Sequence, residues 1–151
     1  MSDGFSDTIS RVGWHGQRRF APSHRKPRLL IADDEPVVCA ALSAQLGRVF
    51  EVVAVAEDGE DAVAEAAREL PDAALIDVEM PAGGGLRATR GIREVSPNTA
   101  VVILSMNGST DSIVELMRAG ALSYIPKGMP AALIAERLRQ SMTAHRTVTL
   151  R

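Results

Sequence analysis

Four apolar runs in this chain each lead to a polar residue of a type that can do chemistry. Leu29-Leu30-Ile31-Ala32 stops at Asp33-Asp34-Glu35, and Ala73-Ala74-Leu75-Ile76 stops at Asp77. Ala100 to Leu104 stops at Ser105, and Leu122 to Ile125 leads through Pro126 to Lys127. Carboxylates that converge repel: two unit charges ~4 Å apart interact by about 4 kcal/mol at an effective dielectric near ~20. They must then be protonated or neutralised by a cation. An all-oxygen set selects a hard ion, and Mg²⁺ with several retained waters suits so few protein ligands. Lys127 would add a point charge suited to phosphate oxygens, and Ser105 a hydroxyl. A nucleophile, a metal and a cation for the equatorial oxygens are the parts that phosphoryl transfer asks for.

Lysine usage singles out Lys127 further. Of 17 basic residues only Lys26 and Lys127 are lysine. A chain that otherwise chooses arginine has placed a compact ammonium at a strand end.

The elements that would position these residues alternate regularly from residue 28. Pro36 suits the first position of a helix through Val37, Val38, Ala41, Leu42 and Leu46, with Gly47 near its stop. Val52 to Val55 is a strand, Glu57-Asp58 read as turn residues, and Asp58-Gly59 turns into an Ala-rich helix from Glu60 to Leu70. Further helices carry Leu86, Ile92 and Val95, then Ile113, Val114, Leu116 and Met117, then Leu133, Ile134, Leu138 and Met142. Ser109, Thr110 and Asp111 are candidate caps for the second of these, and Pro130 opens the third. Five apolar strands separated by helical crossovers predict an α/β fold, a parallel sheet covered on both faces and doubly wound. An eight-fold barrel would need about 250 residues and is excluded. In such sheets ligands sit at the carboxyl ends of the strands, where the polar residues lie.

At 151 residues, 46% hydrophobic and 24% charged, the chain fits one globular domain. No segment has the apolar length of a membrane span or signal peptide, and the single cysteine, Cys39, excludes an internal disulfide. These features predict a cytoplasmic protein. Residues 1–28 carry six basic residues against Asp3 and Asp7, a net +4 in a chain whose total is −2. The expected organisation is a disordered basic leader over 1–27, one domain over 28–143, and a tail or linker start over 144–151. The leader's alternative reading is a nucleic-acid or partner arm.

Four stretches carry a family likeness. Ile31-Ala32-Asp33-Asp34-Glu35-Pro36, Leu75-Ile76-Asp77-Val78-Glu79-Met80-Pro81 with Gly85 eight past the Asp, Ile103-Leu104-Ser105, and Tyr124-Ile125-Pro126-Lys127 resemble the receiver domains of two-component response regulators. The resemblance covers about residues 28–143. It implies the flavodoxin-like strand order 2-1-3-4-5. It also implies that Asp77 accepts a phosphoryl group from a sensor histidine kinase or phosphotransfer protein, as a switch rather than an enzyme. Asp34 and Asp77 would hold Mg²⁺ directly, Asp33 mainly through water, and Glu79 through its backbone carbonyl. Lys127 would bind the phosphoryl oxygens, Ser105 would hydrogen-bond the new group, and Tyr124 would swing inward as Ser105 moves. A homodimer is among the partners the likeness allows; a membrane is not, and direct nucleic-acid binding is not expected of this chain by itself.

Some residues depart from the family pattern. Ala82-Gly83-Gly84-Gly85 lacks the acid that commonly precedes the last glycine, Met106 is bulkier than usual after the hydroxyl, and Gly128 replaces a proline after Lys127. The Leu-Ser-Met and Pro-Lys-Gly arrangements look like the subgroup that usually carries a DNA-binding helix-turn-helix, for which the residues after Thr143 leave no room.

Plainer readings stand beside these. Asp33-Asp34 could cap the first helix, Ser105 could be a turn residue, and Tyr124 could be a half-buried strand aromatic. Gly83-Gly84-Gly85 lacks the lysine and hydroxyl of a phosphate loop. His15, His24 and His145 lie outside the regular pattern without metal-ligand spacing, and Cys39 reads as a small core residue. The rival functions are a haloacid-dehalogenase-like phosphatase, whose acid pattern comes in a different order, and an interaction module that works without phosphorylation. A flavodoxin is weaker still, for want of a hydroxyl-rich cradle and flanking aromatics.

Overall fold

Alternate residues of each strand point to opposite faces, and here both faces are apolar, so each face needs its own layer of helices. The computed structural model describes residues 25–106 and 110–149. Strands β1 (Arg28–Ala32), β2 (Glu51–Ala56), β3 (Ala73–Asp77), β4 (Ala100–Ser105) and β5 (Ser123–Pro126) form one sheet in the order β2-β1-β3-β4-β5. Every neighbouring pair is parallel. The connecting helices are α1 (Pro36–Leu46), α2 (Gly59–Glu69), α3 (Gly84–Val95), α4 (Thr110–Ala119) and α5 (Ala131–Thr149). The expected fold class and strand order are both present.

Leu29, Ile31, Leu75, Val102 and Leu104 pack on one face with Leu42 and Leu46 of α1 and Ile134 and Leu138 of α5. Leu30, Ile76, Val101 and Ile103 pack on the other with Ala62 and Ala66 of α2, Ala88 and Ile92 of α3, and Leu116 of α4. Small side chains on α2 suit its place over the sheet, since a helix of alanines can sit close to its neighbours. Asp58, read above as a turn residue, is the N-cap of α2, its carboxylate accepting a hydrogen bond from Asp61 N at 2.7 Å. Cys39 is buried in the first face, as expected of a small core residue.

The C-terminal helix differs from expectation. It runs on to Thr149 rather than ending near 143, so residues 144–149 continue the helix instead of forming a tail. The stripe Ile134, Leu138, Met142 continues to His145, which is buried and lies 2.9 Å from Pro97 O through Nε2. A polar imidazole expected to lie outside the regular pattern is in fact the buried continuation of that stripe. The leader up to His24, His15, the candidate cap Ser109 and the last two residues lie outside the described residues. Among those described, no helix is long and apolar enough to cross a membrane.

Candidate functional site

The register of the sheet decides which strand ends meet. Ala32 pairs with Ile76 and Asp77 pairs with Leu104, so Asp33 follows β1 beside the last residue of β3. Ser105 pairs with Pro126, and Lys127 N donates to Ser105 O at 3.0 Å, which fixes the start of the β5–α5 connection beside β4. Asp33, Asp77 and Ser105 are all buried. Lys127 spans the two carboxylates: its Nζ lies 3.0 Å from Asp33 Oδ2 and 3.1 Å from Asp77 Oδ2. These are ion-pair distances, while neither oxygen has a well-aligned hydrogen bond. The other oxygen of each acid is engaged by backbone, Asp33 Oδ1 by Glu35 N at 2.9 Å and Asp77 Oδ1 by Glu79 N at 3.2 Å.

Asp34 is exposed beside this pair. Asp33, Asp34 and Glu35 each offer a carboxylate oxygen, all within 4.8 Å of one another. The acid cluster at the mouth therefore includes Glu35, the N-cap residue of α1, which the sequence pattern did not single out. Asp77 joins it through Lys127. Asp33-Asp34 do not cap α1 in the ordinary sense: Glu35 is the N-cap and makes no side-chain cap bond. Tyr124 is half-buried against the second face, paired in register with Ile103.

The charges follow from burial. Burial pushes the Asp77 carboxyl up from its ordinary value and the negative charge of Asp33 adds to this, against the opposing pull of Lys127 and the Glu79 amide. Burial alone would lower the Lys127 ammonium, but its close ion pairs with Asp33 and Asp77 outweigh that and hold it above the ordinary lysine range. Two carboxylates share one ammonium, so the buried group carries a surplus negative charge. That surplus, two buried oxygens without aligned donors, and exposed all-oxygen ligands beside them fit a hard divalent cation.

The loop after Asp77 is held by close backbone approach. A Cβ on Gly85 would come within 2.8 Å of Val78 Cα and 3.2 Å of Asp77 O, so any side chain there would displace the acid. Gly59, expected only as a turn glycine, is the first residue of α2, and a Cβ there would lie 2.7 Å from Ala82 O and 2.8 Å from Gly84 O. Its N–H donates to Pro81 O at 3.2 Å. Cys39 also reaches the site, its thiol donating to Asp33 O at 3.2 Å. The Asp-Gly pair was visible in the sequence, but nothing local said which distant loop would rest on it.

Residues 29–139 match the model of the response regulator receiver domain. The chain belongs to that family. Over 125 residues it is 34% identical to the response regulator GacA of Pseudomonas aeruginosa, covering 81% of this chain and 58% of that protein. Over 106 residues it is 37% identical to the oxygen regulatory protein NreC of Staphylococcus epidermidis, covering 68% of this chain and 49% of that protein. The chain thus spans about half the length of these curated relatives. Among solved structures it resembles the response regulator domain of Thermotoga maritima CheB, with a TM-score of 0.71 at 28% identity over 79% of this chain and 98% of that one. It also resembles a LuxR-family two-component response regulator from Aurantimonas, with a TM-score of 0.73 at 26% identity over 79% of this chain and 86% of that one. This receiver domain therefore belongs to two-component signalling.

Proposed function

We propose that this receiver domain takes a phosphoryl group onto Asp77 from a phosphohistidine of a sensor kinase or phosphotransfer protein. The observation that carries the reading is the buried Asp33–Lys127–Asp77 group, two acids on one ammonium at the ends of adjacent strands. One carboxylate oxygen of Asp77 attacks phosphorus, the P–N bond to the donor breaks, and the imidazole leaves with a solvent proton. Lys127 stays beside Asp77 to take the charge on the transferred oxygens, and Ser105, at the end of the adjacent strand, supplies a hydroxyl to the new group. Asp34 and Asp77 would hold Mg²⁺, with Asp33 through water and the Glu79 carbonyl as further ligands. When bound, that ion neutralises the developing phosphoryl charge.

Phosphorylation adds roughly −1.5 to −2 charges where a surplus already exists, so Lys127 and Ser105 are drawn to the new oxygens. Both are tied to β5, the strand that carries Tyr124. The face of α4, β5 and α5 leaves Val114, Met117, Leu122 and Leu133 between 37% and 47% exposed, an apolar surface for a protein partner or a second copy. The competing phosphatase reading is tested by adding a small phosphodonor with Mg²⁺. A single burst of phosphate-donor consumption, ending at one equivalent per chain before slow hydrolysis, supports the switch; sustained rapid phosphate release overturns it.

A further inference from the structure

Helix α1 is unlike the other four. From Pro36 to Gly47 it carries no charged residue, whereas α2, α3, α4 and α5 each carry at least three. It is nevertheless not buried all round. Val37 is 80% exposed, and Ala40, Ala41 and Ala44 are exposed with it. Spaced at i, i+3, i+4 and i+7, these four form one apolar face toward solvent. A crevice between α1 and α5 runs beside it. Towards the Asp77 end, Val37, Ala41, Met106 and Met129 line a cleft of about 450 Å³. Towards the other end, Gln45, Ala132 and Ala135 line one of about 490 Å³. Apolar surface of this extent marks a contact, and side chains this small let another helix approach closely.

The charges at the two ends of α1 decide what covers it. Asp34 and Glu35 stand before its first turn, and Arg48 follows its last, ~20 Å away at the helical rise of about 1.5 Å per residue. Arg139 of α5 lines the same cleft as Arg48. All four side chains are exposed, and among the described residues none takes part in an ion pair within the chain. Two copies related by a two-fold axis, with their α1 helices antiparallel, set the acidic end of each against the basic end of the other, so unlike charges meet twice. Parallel packing would set like charges together. We propose that the α1 face is the contact between two copies of this chain, Arg48 of each pairing with Asp34 and Glu35 of the other, and Ala41 near the axis. Each copy thereby supplies a cation to the acid cluster at the mouth of the other's site. The surface is separate from the face of α4, β5 and α5.

Sedimentation velocity of the full chain tests it. No phosphodonor is added, so the outcome is independent of the Asp77 reading. A dimer should form as the concentration rises from about 1 µM to about 1 mM, the range of small, reversible interfaces. A41E places two added carboxylates together near the axis and should weaken the dimer at least about tenfold, with far-UV circular dichroism unchanged because the residue is exposed. R48E should weaken it about tenfold, and E35R/R48E, which exchanges the pair in both copies, should recover at least about threefold of that loss. M117E, on the other apolar face, should leave the dimer as it is. A monomer across the whole range would overturn the proposal and leave the α1 face to a different protein. So would a dimer broken by M117E but indifferent to A41E and R48E, or a double variant that associates no more tightly than R48E.

Discussion

Replacing Asp77 by Asn should make the folded protein more stable at neutral pH, although it removes the centre of the site. Both acids of the buried group touch the same ammonium, at 3.0 and 3.1 Å. They therefore lie within roughly 6 Å of each other, where like charges repel by about 3 kcal/mol at an effective dielectric near ~20. Attraction between Asp77 and Lys127 offsets this by about 5 kcal/mol on the same rule, but burying an ionised carboxylate costs several kcal/mol more. The upward displacement of the Asp77 carboxyl, caused first by burial, shows that the balance disfavours its charged form. Asn keeps the shape and the acceptor that faces Glu79 N, and it leaves Asp33 and Lys127 as a neutral pair. The expected gain is about 1–2 kcal/mol at neutral pH. The raised folded pKa also sets the pH dependence. Asp77's contribution is fully present below the unfolded carboxylate value and is lost as pH rises through the folded one. The advantage of Asn should accordingly shrink as the solution is acidified. Urea unfolding of wild type and D77N across that range measures it. A loss of more than about 1 kcal/mol at neutral pH, or a gain that grows on acidification, would refute the electrostatic account.

Lys127→Met leaves two buried carboxylates without their cation and should cost about 3–5 kcal/mol, part of it recovered by millimolar Mg²⁺; an unchanged denaturation midpoint would contradict the ion-pair geometry. Asp34→Ala should weaken Mg²⁺ binding more than Asp33→Ala, read by titration of metal into each variant, and equal affinities across both and wild type would remove the acid cluster as the metal site. Gly59→Ala forces a methyl against two carbonyl oxygens of the loop after Asp77 and should destabilise by about 1–3 kcal/mol, with thermal unfolding as the measure and a neutral result counting against a tightly seated loop.

The sheet was legible because its apolar runs are short, uninterrupted and regularly spaced, and because each stops on a polar residue. That punctuation also marked Asp33, Asp77, Ser105 and Lys127, since an acid, hydroxyl or amine rarely ends a buried strand without reason. Strand order was not carried by the pattern: five strands of similar composition can be wound in several orders, and only the family likeness chose one. The length of α5 was hidden because His145 looks polar in sequence and is buried in the fold. Glu35 joined the acid cluster because the turn at the start of α1 aims it there, and Gly59 supports the Asp77 loop through contacts across two elements. Neither effect leaves a periodic trace.

The central claim is that Asp77 is the phosphoacceptor, and intact mass after incubation with a small phosphodonor tests it most directly. Wild type with Mg²⁺ should gain the mass of one phosphoryl group, mapped by peptide fragmentation to Asp77. The gain should vanish when Mg²⁺ is chelated and in D77N, a variant expected to remain folded. Labelling of D77N at the wild-type rate, or no adduct on wild type with ample Mg²⁺ and donor, would contradict the account.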